Sequence, residues 1–241
     1  MESDQHSNFL VWSHFLRRTG IHFVGKCSGG LWSALRCLGE MNHMPHLGSD
    51  IHHPDLGANS TEMLNTTPAN TIAICAMRHM ETWREATGAT RIISVVNAHL
   101  MPPTPPAIEP AHHLRLAISD ARAEPGQPHP ARPQIEELIQ FVRDWPQDAP
   151  LLIHCFSGLN RSPAAAYIAL AVLNPYISEV LIAYRLRAAS DTAAPNRTMV
   201  GLADLQLGRD GNLSAAMELI GPGQPAAEGR PFVLSTTFNN P

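Results

Sequence analysis

The sequence predicts an α/β fold with a mainly parallel central sheet flanked by helices. From residue 71 onward, short apolar or β-branched segments alternate with amphipathic segments of helical period. Short strands that alternate with helices favour parallel pairing, with helices covering the sheet. The 241 residues, 44% of them hydrophobic, suffice for one main domain with a sizeable core. In such a sheet we expect ligand chemistry at the carboxyl ends of the strands.

Turn-forming residues mark the ends of the predicted elements. Gly88 is typical of a helix end, Ser162-Pro163 of a helix start, and Asn174-Pro175 of a helix stop. The predicted strands are TIAIC (71–75), RIISVV (91–96), HLRLAIS (113–119) and LLIHC (151–155), and FVLST (232–236) is a candidate edge strand. The predicted helices cover 78–87, 133–145, 162–174, 178–189, 196–207 and 212–220.

The first part of the chain has a different composition. Residues 1–69 hold seven of the thirteen histidines and one candidate helix, LWSALRCLGEM, before a stretch rich in His, Gly, Asn and Thr. We therefore predict an unassigned N-terminal extension over 1–69, loop-rich or disordered, and a folded domain over 70–236. No histidine spacing in the extension matches a metal site, so neither a metal nor another cofactor is expected. The histidines concerned are His43, His46, His52 and His53.

Charge and cysteine content restrict the partners and the compartment. A net charge of −4 and a pI near 6.3 provide no broad basic surface for nucleic acid or an anionic membrane. The four cysteines form no CxxC pair, and the first residues lack the pattern of a signal peptide. No apolar run approaches the roughly 20 residues that cross a bilayer. We therefore expect a cytoplasmic protein with neither a nucleic-acid nor a membrane partner; its oligomeric state is open.

The segment HCFSGLNRS, residues 154–162, joins the strand LLIHC to the following helix. The residues between Cys155 and Arg161 can curl so that successive backbone N–H groups point to one centre and bind a tetrahedral oxyanion. Gly158 permits backbone angles that a side chain disfavours, and Arg161 supplies a planar fork for two phosphoryl oxygens. The pattern predicts a phosphate-sized anion site. Its loop residues are Phe156, Ser157, Gly158, Leu159 and Asn160.

Cys155 is the candidate nucleophile of this site. A helix N-terminus and a neighbouring arginine stabilise a thiolate, which is the nucleophilic form of cysteine. We expect the hydroxyl of Ser162 to hydrogen-bond the sulfur, and His154 to orient the loop rather than to act as a base. The alternative interpretation is a buried structural cysteine at a strand end.

HCFSGLNRS resembles the HCxxGxxR[ST] signature of the cysteine-dependent protein tyrosine phosphatases. The small domain is closer to their dual-specificity-like members, and LRAASDTAAPNRTMVGLADLQLGRDG (186–211) resembles small bacterial tyrosine-phosphatase-like proteins. The resemblance covers residues 70–236 and implies a tyrosine-phosphatase-like fold. It also implies hydrolysis of phosphate monoesters through a phosphocysteine on Cys155. The expected substrate is protein phosphotyrosine, with phosphoserine or phosphothreonine as further substrates.

The mechanism implied by this resemblance needs a carboxylic acid that protonates the leaving oxygen. In the family the acid lies on a separate loop upstream of the cysteine. Asp120 in LAISDARAEPG follows a predicted strand and fits this place, and Glu124 on the same loop is its rival. Asp148 in DWPQD resembles the Trp-Pro-Asp loop of larger family members. At about 3.3 Å per residue of strand, however, it lies roughly 20 Å from Cys155, so we interpret it as part of a helix-to-strand turn.

Three other functions remain open. HCFSGLNRS is also similar to the HCxxGxNR[ST] variant of RNA 5′-triphosphatases, although the acidic balance disfavours an RNA channel. Rhodanese-fold phosphatases and arsenate reductases share the same spacing of cysteine and arginine. They would lack the upstream Asp and the helical run after the site. A phosphate-binding pseudophosphatase would normally have lost Cys155, Arg161 or the acid. The absence of lysine and arginine from 156–160 disfavours a polyanionic small substrate.

Some other residues have both a functional and a structural interpretation. Cys75 ends the first predicted strand, so it could approach Cys155 and form a protective disulfide on oxidation; otherwise it is a small buried apolar residue. His112 and His113 are predicted to be surface or rim residues. Asn196 is predicted to be a helix N-cap.

Overall fold

The computed structural model describes residues 67–119 and 130–238. Most of the predicted extension over 1–69 lies outside these ranges, together with its histidines and its candidate helix. The proposed boundary between the extension and the folded domain stays a prediction. Asp120 and Glu124 also lie outside the described residues.

The described part of the chain contains a five-stranded sheet whose strand order is β3-β2-β4-β1-β5. The first four strands in the chain are parallel to one another, and β5 is antiparallel to β1 at the edge. The predicted α/β class with a mainly parallel sheet is therefore confirmed. The strands are β1 (Thr71–Ala76), β2 (Arg91–Val96), β3 (His113–Ala117), β4 (Leu151–Cys155) and β5 (Phe232–Ser235).

The register of the sheet brings the carboxyl ends of its parallel strands to one edge. Ala76 at the end of β1 pairs with Cys155 at the end of β4, and Val96 at the end of β2 pairs with Ala117 at the end of β3. All five residues of β4 are buried, since the strand lies between β1 and β2. Cys155 therefore lies at the centre of the edge where open α/β sheets bind ligands.

Helices cover both faces of this sheet. Trp83 on α1 packs with Cys75 and Leu152 on one face, while the larger core on the other face is built around α3. Residues 161–171 of α3 are all buried, because other helices pack around it against the sheet. The helices are α1 (Met80–Thr87), α2 (Arg132–Arg143), α3 (Arg161–Leu173), α4 (Glu179–Ala189), α5 (Arg197–Leu207) and α6 (Asn212–Leu219). Among the described residues, no helix combines the length and the apolar character that crossing a membrane requires.

Two elements end two residues before their predicted ends. The α2 helix ends at Arg143 instead of continuing to Trp145, whose indole N–H donates to the carbonyl of Ala149 at 3.0 Å in the following turn. β3 ends at Ala117, and the carbonyl of the next residue, Ile118, accepts a hydrogen bond from Arg161. Asp148 lies in the turn that precedes β4, at the opposite end of that strand from Cys155, as predicted.

A buried carboxylate joins α5 to α6. Asp204 is 2% exposed, and its oxygens accept from the backbone N–H of Gly211 at 2.7 Å and of Ser214 at 2.9 Å. Gly211 directly precedes α6 and Ser214 lies in its first turn, where backbone N–H groups have no partner within the helix. Asp204 therefore fixes the start of α6 against α5.

We expect Asp204→Ala to lower the free energy of unfolding by about 2–4 kcal/mol, because two backbone N–H donors lose a buried, charged acceptor. Urea denaturation of the full chain measures the effect. Glu218→Ala is the matched control, since Glu218 is exposed and its pair with Arg197 is 3.7 Å long. The control should change the free energy by less than about 0.5 kcal/mol. Equal midpoints for the two variants would contradict this role of Asp204.

Candidate active site

The thiol of Cys155 lies at the base of a loop that curls around it. Its side chain is 1% exposed, and Sγ accepts two hydrogen bonds. The backbone N–H of Gly158 donates to Sγ at 3.2 Å, and the hydroxyl of Ser162 donates at 3.1 Å. Two donors that converge on one sulfur stabilise its negatively charged form, so the geometry suits a nucleophilic thiolate.

The carbonyl groups of the loop point away from the sulfur. Those of Phe156, Ser157, Leu159 and Asn160 accept hydrogen bonds at 2.8–3.3 Å from N–H groups outside the loop. In a trans peptide the carbonyl and the next N–H point in opposite directions. The N–H groups of residues 157, 158, 160 and 161 are therefore directed to the inner side, where Gly158 already donates to Sγ. Several convergent N–H groups make a concave site for a tetrahedral anion.

Both the backbone conformation and the small space beside β1 require glycine at position 158. Its φ is +74°, in the left-handed region that side chains rarely adopt. A Cβ atom there would lie 3.0 Å from the backbone nitrogen of Ala76 and 3.2 Å from the carbonyl carbon of Cys75. The loop thus packs directly on the carboxyl end of β1, which holds it close to the sheet.

Arg161 is buried and held from one side. Its Nη1 donates to Oδ1 of Asn97 and to the carbonyl of Ile118, both at 2.7 Å, at the ends of β2 and β3. Its Nε has no hydrogen-bond partner among the described residues, although the side chain is only 6% exposed. Neither contact uses the edge formed by Nε and Nη2, which is the edge that binds two oxygens of one anion. The arrangement leaves this edge available to a phosphoryl group.

A chain of hydrogen bonds runs sideways from His154 across the sheet. Oγ of Ser94 lies 2.6 Å from Nε2 of His154 and 2.7 Å from Nε2 of His113, whose Nδ1 lies 2.9 Å from Oγ1 of Thr104. Burial and the neighbouring His113 lower the pKa of His154 to about 4. Burial and Arg115 lower the pKa of His113 to about 4, so both rings are neutral at pH 7. The surface or rim position predicted for His113 is wrong, because this ring is buried and links β2 to β3.

The last residue of the loop is fixed by the segment that precedes α5. The side-chain amide of Asn160 donates to the carbonyl of Ala194 at 2.8 Å, and the amide of Asn196 donates to Oδ1 of Asn160 at 3.0 Å. Oδ1 of Asn196 also accepts from the N–H of Met199 at 3.0 Å. The predicted N-cap at Asn196 is therefore present. The same side chain also ties the N-terminus of α5 to the loop.

Of the predicted site residues, the structure brings together His154, Cys155, Arg161, Ser162 and the loop 156–160. Cys75 is adjacent, since it pairs with His154 in the register. Burial, together with Cys155 and Glu228, raises the pKa of the Cys75 thiol, and both cysteines are free thiols. The predicted oxidation to a disulfide stays a prediction.

Sequence reasoning missed several contributors to the site. Asn97 carried a usable signal, because a polar residue directly after a buried parallel strand lies at the ligand-binding edge. Ser94 interrupts an apolar strand, which is a weaker signal. Gly229, whose N–H donates to the carbonyl of Ser157 at 2.9 Å, carried none, because the contact depends on tertiary structure alone. Within 67–119 and 130–238, no group of three or more His, Cys, Asp or Glu side chains is arranged to hold a metal ion.

Comparison with known proteins gives similarity at the level of solved structures. No protein-family model matches the chain, and no curated protein matches it. The crystal structure of DUSP15 is similar at 17% sequence identity and a TM-score of 0.41, over 64% of this chain and 88% of that chain. The crystal structure of Tk-PTP in the active form is similar at 18% identity and a TM-score of 0.41, over 56% of this chain and 88% of that chain. These identities are too low to assign a substrate.

Proposed function

We propose that this protein hydrolyses phosphate monoesters by nucleophilic attack of Cys155 on phosphorus. The observation that supports this most is the arrangement around Sγ. The sulfur lies among inward N–H groups of its own loop, beside a buried guanidinium whose Nε has no partner among the described residues. These are the groups that a transferring phosphoryl requires, since they neutralise its equatorial oxygens while the nucleophile lies below.

The reaction has two steps. First, Sγ of Cys155 forms a bond to phosphorus as the ester P–O bond breaks, and a carboxylic acid gives its proton to the departing oxygen, which leaves as the alcohol. Water then attacks phosphorus and gives a proton to the carboxylate. The S–P bond breaks, releasing phosphate and the thiolate. The hydroxyl of Ser162, 3.1 Å from Sγ, stabilises the sulfur as it leaves.

Asp120 is the proposed acid and base. It follows Ser119 directly in the sequence, and the carbonyl of Ile118 is bonded to the guanidinium of Arg161 at 2.7 Å. The described chain therefore reaches the site just before Asp120. Asp148 lies at the other end of β4, which excludes it from contact with a phosphoryl group held above Cys155.

The proposed substrate is a phosphorylated protein, with phosphotyrosine first and phosphoserine or phosphothreonine next. The loop residues 156–160 carry no charge, so the loop and Arg161 directly after it provide one cationic group for one phosphoryl. Phe156, the first residue of the loop, is 55% exposed and offers an apolar surface to an aromatic leaving group. The single charge and the apolar side chain favour an aryl monoester.

The RNA 5′-triphosphatase alternative loses part of its support. The feature shared with that variant signature is Asn160, whose side chain is bonded to Ala194 and Asn196. The asparagine thus has a structural role in this chain, which does not require a second phosphate as its partner.

The test is a hydrolysis screen of the full chain against a phosphotyrosine peptide, a phosphoserine peptide and an RNA 5′-triphosphate, with Cys155→Ser as the control in each assay. We expect release of phosphate from the phosphotyrosine peptide, with none from the control. Turnover of the 5′-triphosphate alone would replace the proposed substrate class. A lack of turnover on all three substrates would contradict the proposed hydrolytic activity.

We expect Asp120→Ala to lower kcat by about 10²–10⁴-fold, because general acid–base catalysis contributes that much. The loss should be larger for an alkyl phosphate than for p-nitrophenyl phosphate, whose leaving group needs little protonation. Asp148→Ala is the matched control and should retain wild-type kcat. A full loss in Glu124→Ala, with little change in Asp120→Ala, would transfer the role to Glu124.

A further inference from the structure

We propose that Gly229 is a positioning residue for the phosphate-binding loop, and that Glu228 holds it in place. The inference deepens the function proposed above and rests on it. Both residues belong to the segment 221–231 that joins α6 to β5, which we call the C-terminal arm. The arm contacts the loop from the side opposite to the sulfur.

The first support is the contact made by a single peptide unit. The carbonyl of Ser157 and the N–H of Gly158 belong to the same planar peptide. This N–H donates to Sγ of Cys155 at 3.2 Å, and the carbonyl accepts from the N–H of Gly229 at 2.9 Å. Because the peptide is rigid, a bond that fixes its carbonyl also fixes the direction of its N–H. Gly229 therefore aims one of the donors that contact the nucleophile.

The second support is the space at Gly229. A Cβ atom there would lie 2.8 Å from the carbonyl oxygen and 3.2 Å from the carbonyl carbon of Gly158. Gly229 does not have a left-handed φ, so the backbone conformation itself would accept another residue. The absence of a side chain thus serves the close approach of the arm to the loop, and any larger residue must displace one of them.

The third support is the way in which the arm is attached. Oε1 of Glu228 accepts from Nε of Arg78 at 2.8 Å and lies 2.7 Å from its Nη2 and 3.3 Å from Nε2 of His79. Arg78 and His79 belong to the short 3-10 helix Met77–His79 after β1, and the N–H of Met77 donates to the carbonyl of Phe156 at 3.3 Å. The arm and the turn after β1 therefore support adjacent loop peptides and are bonded to each other.

Two variants test the proposal, Gly229→Ala and Glu228→Gln, with tungstate as a tetrahedral probe measured by calorimetry. In the Gly229→Ala variant the displaced peptide should lower the affinity for tungstate about 10- to 100-fold, because a displacement near 1 Å in such a site has an effect of this size. Glu228→Gln should weaken it about two- to fivefold, since Arg78 is largely exposed. Gly201→Ala is the matched control, because a Cβ there meets nothing within 4 Å.

Affinity of the folded protein separates positioning from simple stability, since a residue that only stabilises the fold would shift the urea midpoint and leave tungstate affinity unchanged. Wild-type affinity in Gly229→Ala would overturn the proposal. Should that variant not fold, wild-type affinity in Glu228→Gln would overturn it. If the wild-type chain binds tungstate and hydrolyses no ester, the proposed function fails, while the binding comparison still decides the role of Gly229.

Discussion

Replacing Cys155 by serine is expected to abolish measurable turnover, a loss of about 10⁴-fold or more, while the protein still binds an oxyanion. A serine hydroxyl is not ionised at neutral pH, and among the described residues the hydrogen-bond partners at this position are two donors, the N–H of Gly158 and the hydroxyl of Ser162, neither of which is a base. The remaining N–H groups and Arg161 do not depend on the sulfur, so tungstate affinity should fall much less than turnover. Hydrolysis of p-nitrophenyl phosphate and calorimetry with tungstate measure the two quantities on one preparation.

The chain supplies its own control for this substitution. Cys75 is also buried, and it pairs with His154 one position before the end of β4. Cys75→Ala should keep turnover within about twofold, because it removes a sulfur that has no part in the proposed chemistry. Retained hydrolysis in Cys155→Ser would refute the nucleophile, and equal losses in both variants would indicate general damage to the fold.

Replacing Arg161 by lysine is expected to lower kcat/KM by about 10³-fold, although the charge is conserved. Lysine cannot bind two oxygens from one planar edge, and it cannot at the same time retain the bonds to Asn97 and Ile118. A fixed donor at the transferring group is worth roughly 10²–10³-fold by itself. The loss should appear in kcat as well as in KM, because charge on the phosphoryl oxygens is redistributed in the transition state.

Two further variants define the cause of this loss. Arg197→Lys is the matched control, since Arg197 is exposed on α5 and should keep wild-type kcat/KM. Asn97→Ala removes one of the two groups that hold Arg161 and should lose about tenfold. If Arg161→Lys kept kcat/KM within tenfold of wild type, the guanidinium would serve only as a positive charge. That result would contradict binding of two phosphoryl oxygens by the edge that contains Nε.

The fold could be predicted to a large extent because its elements are local. Alternating apolar and helical segments, with Gly88 and Asn174-Pro175 at helix ends, gave strands and helices within two residues of those observed. The candidate site could be predicted where it is continuous in sequence, from His154 to Ser162. Asn97 was overlooked, although its position directly after a buried strand is a usable signal. Ser94 and Gly229 could not be placed, because each acts through strand register or a distant backbone contact. His113 was misplaced because its partners lie on other elements.

Attachment of the C-terminal arm also has a consequence for synthesis of the protein. The bonded side chains of Arg78 and Glu228 are 150 positions apart in the chain. A ribosome that adds about 5–20 residues per second needs on the order of ten seconds to cover that distance. Cys155 is synthesised about halfway through this interval, so that its loop then still lacks the arm and the edge strand. The growing chain would thus carry an incomplete site until the arm has been synthesised and has bonded to the turn after β1.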